Sequence, residues 1–255
     1  MRPRALYVVP DHANPSGIRM PEPVRRDLLD LAEREDILLL EDNPYGLFPR
    51  RGRRLPTLKA LDTGRRVVHL GSLAKTVFPG VRIGYAVADQ HVEGGPYLAD
   101  LLAKAKSMVT VNTSPLAQAV AGGRLLEHGC SLVRANERES EVYREGLDRI
   151  VDGLARRFPD PSASGVSWNS PEGGFFVVVQ VPFDVTDAVL ERSAREHRVL
   201  WTPLHHFYDA AAADTESGVG SGVGPLRCLR LSCSALGPED IEEALDRFAA
   251  FVRSR

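Results

Sequence analysis

The feature that most constrains this chain is a set of short apolar runs, each of which breaks abruptly into a polar segment. Ala5-Leu6-Tyr7-Val8-Val9 stops at Pro10, Ile37-Leu38-Leu39-Leu40 at Glu41-Asp42-Asn43-Pro44, and Val67-Val68-His69-Leu70 at Gly71-Ser72. Such runs read as buried strands followed by loops. Between the first two, Pro21 to Glu35 carries Val24, Leu28 and Leu31 at helical spacing. Prolines 21 and 23 suit a helix start, where a missing N–H is harmless. Strand, helix, strand with continuous apolar strands predicts a parallel sheet covered on both faces. A fourth run, Ile83 to Ala88, follows too closely for a crossover helix, so an antiparallel strand is expected there.

Further along, Leu98 to Leu126, interrupted at Asn112-Thr113-Ser114-Pro115, reads as two consecutive helices or as one long helix kinked at the proline. Arg134 to Leu154 is a very polar helix, expected to be a solvated one. Strands are expected at Phe175–Val181, Val199–Trp201 and Leu226–Ser232, with a helix from Asp187 to His197. The closing helix, Pro238 to Val252, carries Ile241, Leu245, Phe248 and Val252 on one face. These elements predict a second, α+β lobe. Ala211 to Gly224 is small and Gly/Ser-rich, and reads as a loop rather than a phosphate cradle.

Composition narrows the class. With 32 Lys+Arg against 34 Asp+Glu in 255 residues, the formal charge is only -2, which argues against a nucleic-acid binder. Three cysteines are too few for a disulfide framework or a zinc cluster. The longest apolar runs fall short of a membrane span, and residues 1–20 lack a signal-peptide pattern. A cytoplasmic protein that binds no nucleic acid and no membrane is expected.

The polar segments carry the chemistry. Asn14, Asp42 and Lys75 lie 28 and 33 positions apart, each about one strand–helix–strand unit. Adjacent parallel strands are ~4.8 Å apart, so side chains from their carboxyl ends can meet around one small ligand. A partly desolvated lysine amine can condense with an aldehyde. An aspartate ending a Leu-rich strand wants a cationic partner, and a protonated pyridine nitrogen is one. Tyr45 and Asn14 suit a ring phenolate oxygen, while Ser72 and Arg82 suit phosphate oxygens. Together these describe pyridoxal 5'-phosphate. A P-loop reading fails, because Leu73-Ala74 precedes Lys75 where a glycine is required.

Asn14-Pro15-Ser16-Gly17, Asp42-x-x-Tyr45 and Ser72-x-x-Lys75-Thr76-x-x-Pro79-Gly80-x-Arg82-x-Gly84 resemble the class I/II aminotransferases, pyridoxal phosphate enzymes of fold type I. Ser114-Pro115-Leu116-Ala117-Gln118, Pro171-Glu172-Gly173-Gly174 and Arg230-Leu231-Ser232 extend the resemblance over essentially the whole chain. It implies an α/β fold: a partial, mostly parallel large-domain sheet in residues 1–126 and a C-terminal α+β small domain in residues 127–255. It also implies an aminotransferase that moves an amino group between an α-amino acid and a 2-oxo acid. Lys75 would be the Schiff-base lysine and proton shuttle, and Asp42 the partner of the ring nitrogen. Tyr45 and Asn14 would contact the ring oxygen, Ser72 and Arg82 the phosphate, and Arg230, with Asn14, the substrate carboxylate. No metal is implied.

The chain departs from the family in beginning at what corresponds to the middle of the large domain. The family's earlier part supplies a backbone phosphate cradle, an aromatic stacked on the cofactor and a dimerisation arm. A homodimer, a complementing N-terminal polypeptide or a truncated fragment is therefore expected, with open sheet edges and uncovered apolar surface. Position 74 is Ala where many relatives have serine, and position 227 is Arg where asparagine is common. Alternatives remain open: another pyridoxal phosphate reaction (lyase, decarboxylase or oxidase), or a non-catalytic cofactor-binding module.

Other residues read more plainly. Arg230 sits in an apolar strand, where an unpaired charge is expensive, which favours a functional role. Arg227 reads as a solvated or ion-paired arginine. His205-His206 is a loop pair whose neighbours point different ways and lack metal-ligand spacing. Cys228, Cys233, Trp168 and Trp201 read as packing residues.

Overall fold

The computed structural model describes residues 3–92, 94–208 and 224–255. The glycine-rich stretch 211–223 lies outside the described residues. The chain divides into two compact units: residues 1–11 with 19–140, and residues 12–18 with 141–255. Each is described by itself.

The first unit is built on a four-stranded sheet: β1 (Ala5–Val8), β2 (Leu38–Asp42), β3 (Val67–Ser72) and β4 (Gly84–Val87), in spatial order β1-β2-β3-β4. The first three strands are parallel and β4 is antiparallel to β3, as the short β3–β4 connection requires. Register assigns the two faces, because partners share a side and alternate residues change it. One face carries Val8, Leu39 and Val67, which pack with Leu28, Leu29, Ala32 and Leu58. The other carries Tyr7, Leu40, Asp42, Leu70 and Ser72.

Helix Glu22–Arg34 buries only part of the side its apolar spacing predicts. Leu28 packs inward, but Val24 and Leu31 are exposed, whereas Arg25 and Ala32 are fully buried. The reason is polar: the Arg25 guanidinium makes two hydrogen bonds to Asp11, at 2.5 and 3.1 Å, and others to the carbonyls of Met20 and Pro56. A charge satisfied this fully can replace an apolar residue on the inner face. The stretch after β4 forms two helices, Leu98–Thr110 and Pro115–Glu127, broken at Ser114, whose hydroxyl caps the second. β1 is not the buried strand its apolar run predicts: at this edge of the sheet Leu6 and Tyr7 are exposed, as are Tyr85 and Val87 on β4 at the other edge. The sheet therefore carries uncovered apolar surface rather than cover on both faces.

The second unit folds around an antiparallel sheet of β5 (Ser167–Trp168), β6 (Phe176–Gln180), β7 (Thr202–Pro203) and β8 (Cys228–Ser232), ordered β5-β6-β8-β7. Val177, Val179, Leu229 and Leu231 form its buried face. Phe176, Val178, Thr202 and Arg230 lie on the opposite one. The closing helix Pro238–Arg253 buries Ile241, Leu245, Phe248 and Val252, as its spacing predicts.

Three expectations are corrected here. The polar helix, Glu137–Arg157, is not merely solvated, since Gly146, Leu147, Ile150, Gly153 and Leu154 are buried. Its two glycines open space for side chains from other elements. A Cβ on Gly146 would lie 3.0 Å from that of Cys233, and one on Gly153 only 2.4 Å from Leu245 Cδ1. The strand expected at Val199–Trp201 forms instead at Thr202–Pro203, because the Ser193 hydroxyl takes the Val199 carbonyl. Helix 187–197 is α-helical only to Arg192 and then widens into a π-turn, Ser193–His197.

Cys228 and Cys233 are buried thiols, and burial pushes that of Cys233 up to about 12; Cys130 is exposed. Trp201 is buried as a packing residue, with its indole N–H on Ser193 Oγ at 3.0 Å. Among the described residues, no helix is long and apolar enough to cross a membrane.

The corrected reading of helix Glu137–Arg157 predicts a contrast. Leu154→Ala, at a fully buried position, should lower stability by about 2–5 kcal/mol. Val142→Ala, at an exposed position of the same helix, should stay within about 0.5 kcal/mol. Urea midpoints at unchanged m-value measure both.

Candidate active site

In the first unit, the predicted residues sit at the carboxyl ends of adjacent strands and in the turns that follow. Asp42 ends β2 in register with Leu70, and Ser72 ends β3 two residues further on, so both side chains belong to one face. Beside them, β4 contributes Gly84 and Ala86 to that face, which keeps it free of bulk. Tyr45 is buried in the turn after β2. That turn is shaped by Asn43, whose side chain accepts from Gly46 N at 3.0 Å and donates to Asp11 Oδ2 at 2.7 Å.

Lys75 leaves from a tight turn after β3. Leu73 N bonds the Ile83 carbonyl at 2.8 Å, Val77 N the Leu73 carbonyl at 2.9 Å, and Thr76 Oγ1 the Ser72 carbonyl at 3.3 Å. Leu73 and Ala74 are the buried anchors of this turn, and they leave Lys75 exposed. Arg82 follows the 3-10 turn Pro79–Val81 at φ 50°, in the left-handed region, and is exposed. A non-glycine residue there is strained by about 1–3 kcal/mol, and such strain clusters at ligand sites.

Two residues were not singled out from the sequence. The Tyr7 phenol donates a hydrogen bond to Asp42 Oδ2. That bond to a carboxylate, reinforced by desolvation, pushes the phenol up to about 12. Tyr7 reads as core in an apolar run, and the signal available was parity, since it shares a face with Asp42. Glu41, fully buried behind Asp42, accepts from the Leu58 and Lys59 amides at 2.9 Å each and pairs with His69 Nδ1 at 3.1 Å. Burial alone would raise its carboxyl, but His69 and the two amides outweigh that and hold it below the ordinary value.

The second unit holds Asn14 and Arg230, and brings them together. Arg230 Nη1 donates to Asn14 Oδ1, and Nη2 to Thr202 Oγ1 at 3.2 Å. The guanidinium carbon lies 4.2 Å from the centroid of the Phe176 ring and 5.3 Å from that of Phe207. Loop 12–18 is seated on the Pro171–Gly174 segment, which gives that motif a physical role. A Cβ on Gly17, at φ +67°, would come within 2.7 Å of Pro171 Cβ, and one on Gly174, at φ +77°, within 2.8 Å of His12 Cβ. Arg227 is exposed and faces Asp184 at 3.5 Å, in line with the ion-paired reading. His205 and His206 do not point apart: both Nε2 atoms approach Asp187 Oδ1.

The frame thus described is that of the fold type I pyridoxal phosphate enzymes. Kynurenine aminotransferase of Pyrococcus horikoshii, solved with PMP, superposes with a TM-score of 0.78 at 29% identity, over 98% of this chain and 56% of that one. The α-aminoadipate aminotransferase LysN of Thermus thermophilus gives 0.80 at 28% identity, over 99% and 59%. The family profile "Aminotransferase class I and II" matches residues 7–248, and the chain belongs to that family. It is 50% identical, over 100% of its length and 54% of the relative's, to (S)-3,5-dihydroxyphenylglycine transaminase of Amycolatopsis orientalis. The chain spans about half the length of the curated relatives it matches.

The Tyr7–Asp42 bond has a pH signature. Because the folded phenol lies near 12, above the ordinary 10, its contribution to stability is complete below pH 10. It is then lost as pH rises through about 12. Difference absorbance at 295 nm should show a phenol titrating near 12, and Tyr7→Phe should remove that step while leaving those of Tyr85 and Tyr208, which burial also raises.

Proposed function

We propose that the protein is a pyridoxal 5'-phosphate-dependent aminotransferase that moves an amino group from an α-amino acid to a 2-oxo acid. The observation that carries this reading is the donor set Asn14, Asp42, Tyr45, Ser72, Lys75 and Arg82, standing in family order in a chain half identical to a transaminase. The donors fit the group chemically: a carboxylate for a ring nitrogen, a primary amine for an aldehyde, and a hydroxyl with a guanidinium for a phosphate. Bound there, the cofactor supplies a carbonyl carbon for the substrate amine and a protonated ring that takes up the electron pair left at Cα.

The chain's own residues do the rest. Lys75 Nζ would hold the cofactor covalently and, when free, serve as the base that moves the Cα proton. Asp42, held by the Tyr7 phenol, would keep the ring nitrogen protonated. Tyr45 and Asn14 would bind the ring oxygen, Ser72 and Arg82 the phosphate. Arg230 takes the substrate α-carboxylate as a planar fork, with Asn14 beside it. Phe176 and Phe207 support Arg230, and the relative's dihydroxyphenylglycine activity favours an aromatic α-amino acid as the substrate class. We read residues 1–126 as part of the cofactor-binding large domain and 127–255 as the small domain. We also read the protein as cytoplasmic, acting in amino acid metabolism, and as a homodimer or a chain completed by an N-terminal polypeptide. The exposed Met108, Val109, Val111 and Leu116 favour a covering partner.

The full chain should gain visible absorbance with added cofactor, and borohydride should fix the cofactor on the peptide containing Lys75. Amino transfer from an aromatic amino acid to 2-oxoglutarate should be detectable, and Lys75→Ala should abolish it together with the fixation. An unchanged spectrum in Lys75→Ala would overturn the assignment. Fixation with release of a product other than the 2-oxo acid would favour a different pyridoxal phosphate reaction. Arg230→Gln should raise KM for the amino acid by about 10–100-fold, the scale of a lost charged hydrogen bond.

A further inference from the structure

The second unit carries a cluster that the aminotransferase reading does not use. Asp187, in the first turn of helix Asp187–Arg192, faces the 3-10 turn Leu204–Phe207. Asp187 Oδ1 is 2.8 Å from His206 Nε2 and 4.0 Å from His205 Nε2, and one ligand atom of each residue lies within 4.8 Å of the other two. A hydrogen-bonded Asp187–His206 pair explains the shorter distance alone. It leaves the second imidazole turned toward the same oxygen, beyond hydrogen-bond reach. His205 Nδ1 is buried without a hydrogen-bond partner among the described residues, so Nε2 is the ring nitrogen that can take a ligand.

We propose that Asp187, His205 and His206 form a site for one divalent transition-metal ion of the zinc type. Two imidazole nitrogens and a carboxylate are the donor set such ions prefer over magnesium or calcium, whose ligands are oxygens. Around a tetrahedral ion with bonds of ~2.0–2.1 Å, donors sit about 3.3 Å apart. The two separations from Asp187 Oδ1, 2.8 and 4.0 Å, bracket that value, and all three donors already lie within 4.8 Å of one another. Both Asp187 and His206 are exposed, which leaves room for water or a further ligand at the fourth position. The turn they hold also carries Phe207, whose ring lies 5.3 Å from the Arg230 guanidinium carbon. The ion therefore pins the turn that buttresses the carboxylate grip.

The test uses the full chain with cofactor and Zn2+ as the probe, with calorimetry and hydrogen exchange as readouts rather than activity. One ion per chain should bind, and His205→Gln and His206→Gln should each weaken binding at least tenfold. The amides of residues 204–208 should exchange more slowly with Zn2+ present. Binding that is absent, or unchanged in Asp187→Asn/His205→Gln/His206→Gln, overturns the site. Binding with unaltered exchange at 204–208 overturns the pinning role. Neither result bears on Lys75 chemistry, so this proposal fails separately from the aminotransferase reading.

Discussion

The first unit depends on one buried ion pair. Arg25 and Asp11 are both almost fully buried, and their contact joins the loop after β1 to the helix that follows it. Asp11 also receives the Asn43 amide, and Asn43 in turn shapes the turn that ends at Tyr45. A desolvated pair of this kind contributes little net stability, yet removing one partner strands the other charge at a cost of about 3–5 kcal/mol. Its value is positional. The ends of β1 and β2, where Tyr7 and Asp42 meet, are tied together by groups that are costly to leave unpaired in an apolar interior.

Behind that frame, Glu41 acts as a second polar pin. Its carboxylate caps the start of the short helix Leu58–Leu61 through two backbone amides and reaches across to His69 on β3. Neighbouring residues on one strand thus take opposite duties: Glu41 organises the buried side, while Asp42 faces the open side. The two-residue period of the strand separates them without any insertion.

Much of this was legible in the sequence. The switch from apolar run to polar segment located β1 to β3, and the short connection after β3 implied an antiparallel β4. What escaped was hidden by residue type. An arginine on a helix reads as solvent-facing, so the apolar spacing of Glu22–Arg34 points to Val24, Leu28 and Leu31, of which Leu28 packs inward while Val24 and Leu31 are exposed. Glycines add nothing to an apolar count, so Gly146 and Gly153 concealed the packed side of Glu137–Arg157. Tyr7 looked like core because a tyrosine in an apolar run usually is. Adjacent histidines were expected to diverge, yet in a 3-10 turn, and with an aspartate opposite, both Nε2 atoms reach one oxygen.

The unequal setting of the three cysteines has a practical side. Two sulfurs lie inside the second unit, where the thiolate is disfavoured, while Cys130 sits at the surface of the first. A maleimide fluorophore or spin label added to the unmodified chain will therefore settle at one defined position, with no engineered cysteine-free background required.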